Sequence, residues 1–319
     1  MALDAGRLFH LAWQHAGSVP APLLRGVTVV AADVVWLLRT GGVQQLTRNL
    51  ARARPTASPR ELRRLARAGM RSYMRYYGEA FVMRDATPEQ VEARVRVVGY
   101  DETRELVGRG VTPVVALSHQ GNWDLAGVYA STHIAPVLTV AERLEPPELY
   151  EEFKAFREAL GMEILTAGDP GVFRTLLRAA QGRGPGRIIC LLADRDLSHH
   201  GVEVDFLGAR ARVAAGPAAL AVSAGAPLVA GGIYYERLTG ARRAAAGTPW
   251  GIVIRFHPVI EVPTEGTTAE RVAVVTQRWV DDLAGDIRAH PQDWHMLQKV
   301  FVDDLDAARY ARTVQKSES

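Results

Sequence analysis

The stretch that decides the fold is Ser-His-Gln-Gly-Asn-Trp-Asp at residues 118–124. It follows a short apolar run, residues 111–117, whose β-branched composition predicts a strand buried on both faces. Gly121 and Asn122 provide turn and capping chemistry, which predicts that a helix follows directly. His119 is therefore expected at the carboxyl end of a buried strand, where open α/β sheets bind their ligands.

His119 and Asp124 form a His-x4-Asp pattern that suits acid–base chemistry. A carboxylate in the first turn of the helix can fold back toward the imidazole, hold one ring nitrogen as N–H and leave the other as a base toward a hydroxyl. The positive start of the helix also suits an oxyanion or a phosphate. The pattern alone is weak, because a histidine in a loop is more often a hydrogen-bonded polar residue with no catalytic role.

From residue 94 onward, apolar runs typical of strands alternate with helical periods. Strands are predicted at 94–98, 112–117, 135–140, 162–165, 187–192, 227–235 and 251–258, and helices at 101–109, 125–131, 147–160, 170–181 and 268–289. This alternation predicts an α/β fold with a mixed, largely parallel central sheet flanked by helices. The segment 237–247, between the last two strands, is expected to be a loop.

The amino-terminal part is expected to be a helical extension with its own charge. Helices are predicted at 3–16, 23–39, 43–54 and 59–83. Residues 1–84 carry thirteen arginines against four acidic residues, so the basic charge of the chain is concentrated there. We therefore divide the chain into a basic, helical, membrane-facing extension (1–90), an α/β domain (91–312) and a disordered tail (313–319).

Two interpretations of the basic extension remain open. The arginines along its fourth helix form either a solvated face or a surface for lipid headgroups, with Trp13 and Trp36 entering the lipid. The most apolar window, residues 26–38, contains Asp33 and is too short to cross a bilayer, so it suits the bilayer surface better. No secretory signal is expected. Nucleic acid is not an expected partner, because aromatic residues do not interleave with the arginines.

Composition and missing motifs disfavour several other functions. The single cysteine, Cys190, lies in an apolar run and is expected in the core, so neither an internal disulfide nor a cysteine-rich zinc site is possible. His199 and His200 are adjacent and lack a third ligand at suitable spacing, so no metal is expected. The chain has no Gly-rich nucleotide fingerprint and no Gly-x-Ser-x-Gly elbow, which disfavours dehydrogenases, kinases and serine hydrolases.

Further polar residues follow other predicted strands and should reach the same edge of the sheet. Ala-Asp-Arg-Asp at 193–196 follows one strand, and Glu142-Arg143 follows another. Such groups are either paired members of a polar site or local ion pairs of a surface turn. Arginines suit a phosphate-bearing substrate. The candidate substrate-binding residues are Gln120, Asn122, Glu142, Arg143, Arg157, Arg195, Asp196 and Arg212, the last in a basic loop leading to a helix.

These motifs together resemble one known family. Residues 118–124, Asp194-Arg195-Asp196, the segment Gly-Val-Glu-Val-Asp-Phe-Leu-Gly at 201–208 and His-Pro-Gln-Asp-Trp at 290–294 are similar to motifs of the bacterial lipid A lauroyl/myristoyl acyltransferases. The likeness covers residues 5–305. Within the family, the arginine-rich start and Ala-Glu-Arg-Leu at 141–144 most resemble the actinobacterial phosphatidylinositol mannoside acyltransferases.

The resemblance implies a glycerolipid-acyltransferase-like fold at the cytoplasmic face of the inner membrane, bound peripherally. It implies transfer of a fatty acyl group, commonly palmitoyl, from acyl-CoA as co-substrate to a mannose hydroxyl of a phosphatidylinositol mannoside, without cofactor or metal. His119 would be the general base and Asp124 its orienting partner. Asp194 occupies the family's second acidic position, where the mannoside subfamily commonly has glutamate, so it either reaches His119 or shapes the acceptor pocket.

Two alternatives to this function are kept. The same chemistry can act on another glycolipid or on a lysophospholipid. A non-catalytic lipid-binding protein, in which His119 merely caps a helix, belongs to a different class. The bottom-up chemistry favours transfer, because a thioester is already activated and needs only a deprotonated alcohol, correct positioning and a stabilised oxyanion.

Overall fold

The computed structural model describes residues 19–143, 147–182, 186–196, 200–307 and 310–311. Within these ranges the helices are α1 (Ala21–Leu37), α2 (Gly41–Ala53), α3 (Pro59–Met83), α4 (Pro88–Arg94), α5 (Asp101–Gly108), α6 (Trp123–His133), α7 (Pro147–Ala159), α8 (Val172–Ala180), α9 (Gly216–Ala224), α10 (Gly240–Ala246) and α11 (Thr268–Ala289). The strands are β1 (Val95–Val98), β2 (Val114–Leu117), β3 (Val137–Ala141), β4 (Met162–Thr166), β5 (Ile188–Leu192), β6 (Val202–Phe206), β7 (Ala209–Val213), β8 (Leu228–Arg237) and β9 (Trp250–Phe256).

Seven of these strands form one sheet in the order β1-β9-β8-β2-β5-β3-β4. β8, β2, β5, β3 and β4 run parallel to one another, whereas β9 is antiparallel to β8 and parallel to β1. The expected mixed, largely parallel sheet flanked by helices is confirmed. β2 lies at its centre, where Val115 is opposite Cys190 on one side and Val229 on the other.

Helices cover both faces of this sheet, and the alternation of side chains along β2 shows how. Val114 and Ala116 belong to a core cluster with Trp279 and Leu283 of α11. Val115 belongs to a second cluster, which includes Leu125 of α6 and Phe156 of α7. Because successive strand side chains point to opposite faces, an apolar run without alternation requires cover on both sides.

The helices before the sheet are held together by apolar packing and by one charged cluster. Leu46, Leu50 and Met70 are fully buried between α2 and α3. On α1, Asp33 accepts hydrogen bonds from Arg67 and Arg71 of α3. These two arginines hold the pKa of Asp33 well below its usual value. Part of the arginine series on α3 is therefore paired, and does not form a uniformly solvated face.

The outer side of α1 is apolar and exposed. Its exposed large apolar residues are Leu23, Val27, Val29, Val30, Val34, Leu37 and, just beyond the helix, Leu38. Trp36, by contrast, packs toward α3, where the guanidinium of Arg67 lies 5.4 Å from its ring centroid. Taken singly, none of the helices in the described ranges is long and apolar enough to cross a membrane, whereas α1 and α2, bent by 86°, meet that criterion as a pair.

Two segments differ from the sequence-based expectation. The expected loop 237–247 contains the short helix α10, in which four alanines and two arginines supply good helix formers. Residues 202–213, expected only as a motif and a basic loop, form the antiparallel hairpin β6–β7. Its two-residue turn, Leu207-Gly208, has positive φ at both positions, as a tight hairpin requires. The predicted helix 3–16 and tail 313–319 lie outside the described residues.

Candidate active site

The connection between β2 and α6 places His119 at the carboxyl edge of the sheet. Gly121 follows with φ +65°, and a Cβ there would lie 2.6 Å from the backbone oxygen of Ile233. Its N–H donates to the backbone oxygen of Asp293 at 2.9 Å. Asn122 then caps α6 by accepting a hydrogen bond from the N–H of Leu125. The turn is therefore fixed by close backbone contacts, for which glycine is required.

Asp194, which follows β5, is the carboxylate that contacts His119. Its Oδ1 lies 2.6 Å from the Nδ1 of His119, and its Oδ2 accepts the backbone N–H of the same residue at 3.1 Å. Because β2 and β5 are neighbouring parallel strands, the residues that follow them meet at one edge. Of the two roles left open for Asp194, contact with His119 is the one the structure shows.

Trp294 completes the environment of this carboxylate. Its indole N–H donates to Asp194 Oδ2 at 2.8 Å, and both side chains are fully buried. Burial by itself raises the pKa of Asp194, but the charge and hydrogen bonds of His119 and the Trp294 N–H outweigh it and hold this pKa below its ordinary value. An ionised Asp194 requires His119 Nδ1 to carry a proton, which leaves Nε2 as the basic nitrogen.

Asp124 does not orient His119, contrary to the sequence-based expectation. Its carboxylate accepts hydrogen bonds from the hydroxyl of Tyr76 at 2.7 Å and from Arg157 Nε at 2.7 Å. The first turn of α6 directs this side chain toward α3 and α7. Burial would lower the pKa of Arg157, but the nearby Asp124 and Tyr76 raise it overall, so Arg157 remains a cation.

His119 and Asp124 both border an apolar cavity of about 370 Å³ between the sheet and helices α6 and α7. At its upper end lie the last residues of β2 and β5, Leu117 and Leu192. At its lower end lie the first residues of β3, β4 and β5, which are Val137, Met162 and Ile188. The cavity therefore follows the length of a five-residue strand, roughly 13 Å. Cys190 also borders it, and burial raises the pKa of this thiol to about 12.

The predicted substrate-binding residues separate into two groups. Arg157, Glu142 and Arg195 border the cavity, and Arg195 is paired with Glu142 at 3.2 Å. The other five do not border it. Gln120 donates to the backbone oxygens of Asp286 and His290, and Asn122 donates to Glu79. Arg143 pairs with Asp169 on the surface, the Asp196 N–H donates to the backbone oxygen of Arg212, and the Arg212 guanidinium donates to the backbone oxygen of Gly201.

Three residues at the site were not predicted as functional. Tyr76 lies within a helix whose sequence reads only as basic and apolar. Trp294 and His295 belong to the carboxyl-terminal segment 290–295, of which residues 290–294 resembled a family motif without a predicted role. The segment 290–295 was the sequence signal that could have indicated Trp294 and His295. Its backbone contacts the site, because the His295 N–H donates to the backbone oxygen of His119 at 2.7 Å.

His295 is buried beside the carboxyl edge of the sheet. Its Nε2 lies 3.0 Å from the hydroxyl of Ser72, which in turn donates to Asp293. Burial lowers the pKa of His295 to about 3, and the positive charges of Arg75 and His119 add to this effect. Burial raises the pKa of Asp293. His295 is therefore a neutral, structural neighbour of His119. Among the residues that the structure describes, no group of three or more His, Cys, Asp and Glu side chains is arranged to hold a metal ion.

Comparisons with known proteins agree with this architecture. The phosphatidylinositol mannoside acyltransferase of Mycolicibacterium smegmatis is 37% identical over 304 residues, which cover 94% of this chain and 92% of that protein. The protein of the same name from Mycobacterium tuberculosis is 37% identical over 307 residues, covering 94% and 89%. The profile of the bacterial lipid A biosynthesis acyltransferases matches residues 7–302. The chain therefore belongs to the bacterial lipid A biosynthesis acyltransferase family.

Proposed function

We propose that the protein transfers a fatty acyl group from acyl-CoA, palmitoyl-CoA being the expected donor, to a mannose hydroxyl of a phosphatidylinositol mannoside. The observation that carries the proposal is the contact of the buried Asp194 with Nδ1 of His119 at the mouth of an apolar cavity. The names of the relatives support the acceptor class.

The chemistry needs one base and no covalent enzyme intermediate. His119 Nε2 accepts the proton of the mannose hydroxyl as its oxygen attacks the thioester carbonyl. The tetrahedral intermediate then collapses, the carbon–sulfur bond breaks, and the imidazolium returns the proton to the departing thiolate. Asp194 holds the ring in one tautomer and stabilises its protonated form.

The cavity supplies a place for the acyl chain. Its lining is mostly apolar, including Val115, Leu117, Ile233 and Ile254. Its volume of about 370 Å³ falls in the range of roughly 300–1,000 Å³ that is usual for ligand sites. An acyl chain entering beside His119 would leave the thioester carbonyl at the carboxyl edge of the sheet.

Polar residues that border the cavity suit a sugar. Two carboxylate–guanidinium pairs, Asp124 with Arg157 and Glu142 with Arg195, border the same cavity as His119. Paired charges of this kind donate and accept hydrogen bonds to hydroxyl groups without a large net charge. Two charged pairs that border this cavity favour a glycolipid acceptor, which has several hydroxyl groups, over a lysophospholipid, whose acceptor group is a single glycerol hydroxyl.

We infer further that the protein binds peripherally at the cytoplasmic face of the inner membrane. The exposed apolar face of α1 and the exposed arginines at the start of α3, Arg60, Arg63 and Arg64, support this placement, since amphipathic helices bind anionic bilayer surfaces in this way.

The test is CoA release from palmitoyl-CoA by the purified protein, with and without a phosphatidylinositol mannoside. Acceptor-dependent release that is lost in His119→Ala supports the proposal. Slow release that ignores the acceptor would discard this acceptor class. Retention of full turnover in His119→Ala would overturn the catalytic assignment, and loss of turnover with lipid binding retained would exclude a non-catalytic scaffold.

A further inference from the structure

The β8–β9 hairpin carries a tryptophan beyond the catalytic edge of the sheet. Leu117, the last residue of β2, is opposite Gly231 of β8, yet β8 continues for six more residues to Arg237, roughly 20 Å further. Trp250, the first residue of β9, is opposite Arg237. The end of this hairpin lies beside α3, because Arg75 of α3 contacts the Trp250 ring. The same helix contributes Tyr76 to the cavity wall.

Two guanidinium groups contact this tryptophan. The Cζ of Arg75 lies 3.6 Å from the Trp250 ring centroid, and the Cζ of Arg237 lies 4.7 Å from it. Arg75 also contacts the ring of Tyr235 at 4.6 Å. Since both distances end on the same centroid, the two Cζ atoms are no more than about 8 Å apart, a span that phosphate oxygens can bridge.

Among the described residues, these two arginines have no anionic partner, unlike the arginines around them. Arg96 and Arg242 share Glu236, and Arg94 pairs with Glu79. Within the part of the chain that the structure describes, Arg75 and Arg237 contact aromatic rings and make neither an ion pair nor a hydrogen bond.

The two buried carboxylates near Arg75, Asp293 and Glu79, already have other partners; Glu79 pairs with Arg94 and accepts from Asn122. Asp293 accepts hydrogen bonds from the Ser72 hydroxyl, the Gln292 amide and the backbone N–H of Tyr235. Stacking on an indole immobilises a guanidinium while leaving its N–H edge open. Arg75 and Arg237 together therefore have the positive charge, the fixed position and the free N–H donors that an anion-binding site needs.

We propose that Arg75 and Arg237, held on Trp250, bind a phosphate ester of a substrate. The proposal rests on the proposed function for the source of the phosphate, because both the CoA donor and the phosphoinositide acceptor carry phosphate groups. The site would position that substrate relative to His119 from outside the cavity.

The experiment compares wild type with Arg75→Gln/Arg237→Gln. The matched control is Arg109→Gln/Arg178→Gln, which removes the same charge from exposed arginines near the opposite edge of the sheet. Binding of coenzyme A is measured by titration calorimetry, and binding to phosphatidylcholine vesicles with and without phosphatidylinositol is measured by co-sedimentation. We expect affinity for at least one phosphate-bearing probe to fall about tenfold or more in the first variant and to stay within about twofold of wild type in the control.

The two probes identify the source. A loss confined to coenzyme A assigns the site to the donor, and a loss confined to phosphatidylinositol vesicles assigns it to the lipid headgroup. Unchanged affinity for both, or wild-type protein that binds neither, overturns the site. Because the binding assays need no turnover, failure of acyl transfer alone would contradict the proposed function and leave the site standing. If the double variant does not fold, the exposed Arg237→Gln variant alone gives the same comparison.

Discussion

Asp194 and His119 are joined at two points, one on the ring and one on the backbone. Oδ1 of Asp194 lies 2.6 Å from Nδ1, and Oδ2 accepts the His119 N–H at 3.1 Å. A single contact would allow the imidazole to rotate about it. The second contact fixes the residue that carries the ring, so the orientation of Nε2 follows from a fully buried carboxylate.

Asp194→Asn tests this relationship directly. In the wild type, Oδ2 of Asp194 accepts from both the backbone N–H of His119 and the indole N–H of Trp294, so the asparagine oxygen would take the place of Oδ2. The asparagine NH₂ group would then donate to Nδ1 of His119. Nδ1 would have to accept, and the ring proton would lie on Nε2. We expect kcat to fall by roughly 10²–10⁴ while the melting temperature changes little, as expected for a misplaced proton. Steady-state turnover and thermal denaturation measure the two effects. Asp101→Asn, exposed on α5, is the control, and equal losses in both variants would contradict the assignment.

Arg157→Gln tests the second buried pair. It leaves the Asp124 carboxylate, 1% exposed, with the Tyr76 hydroxyl but without its cation. Removing one partner of a buried ion pair costs about 3–5 kcal/mol, so urea unfolding should show a loss of that order. Arg157→Gln/Asp124→Asn should recover part of it, since no uncompensated charge remains. A single variant as stable as wild type would show that Asp124 is solvated or protonated.

Acid stability tests the burial of His295. Its pKa is about 3 in the folded protein against 6.5 ordinarily, so the unfolded chain binds the extra proton between these values. Its contribution is therefore complete above pH 6.5 and is lost as the pH falls, at about 1.4 kcal/mol per pH unit. His295→Gln, which retains an amide N–H for Ser72, should flatten the dependence of unfolding free energy on pH between about 6 and 4. Parallel curves for the two proteins would contradict the shift.

His290 acts in the same direction, because burial lowers its pKa as well. It is present in wild type and in His295→Gln alike, so its contribution cancels in the comparison. Two buried carboxylates do not mimic this acid dependence. The pKa of Asp194 is lowered, so its stabilisation is lost only below its ordinary value of 3.8. The pKa of Asp293 is raised, so its effect has the opposite sign, with stability gained as the pH falls. The comparison between wild type and variant removes both contributions as far as they are independent of His295.

Gly127→Ala tests the depth of the cavity. A Cβ at Gly127 on α6 would lie 2.4 Å from the sulfur of Met162 at the lower end of the cavity, so Met162 must move into the cavity or the helix must shift. We expect kcat/KM for long-chain thioesters to fall about tenfold relative to shorter ones. Turnover of a series of acyl-CoA chain lengths measures this, with Gly127→Ala/Met162→Ala as the compensating variant. An unchanged chain-length profile would place the acyl chain elsewhere.

Val30→Glu/Leu37→Glu tests the membrane surface on α1. The two residues are 63% and 66% exposed, so the folded protein should tolerate the change. Each apolar side chain buried in a bilayer contributes about 1.5–3 kcal/mol, so binding to anionic vesicles should weaken at least tenfold. Phe173→Glu/Val274→Glu, at positions 45% and 42% exposed on α8 and α11, is the matched control, because it adds the same charge away from α1. Equal vesicle binding by the two variants would exclude α1 as the lipid-facing element.

The order of strands and helices could be predicted because the apolar runs are short, β-branched and separated by helical periods. β2 and the turn at Gly121 followed from local chemistry alone. The β6–β7 hairpin and α10 were missed, because polar strands stabilised by packing and a short helix within a connection have weak local signals.

The sequence by itself determined that His119 lies at the carboxyl end of a buried strand, since that follows from the period of the residues around it. It did not determine which carboxylate serves the imidazole. Asp124 is close along the chain, but the first turn of α6 directs it to Tyr76 and Arg157, while Asp194, 75 residues away, arrives with the neighbouring strand β5 and is held by Trp294. Strand order and burial decide such partners, and both are properties of the tertiary structure, because they depend on contacts between residues far apart in the chain.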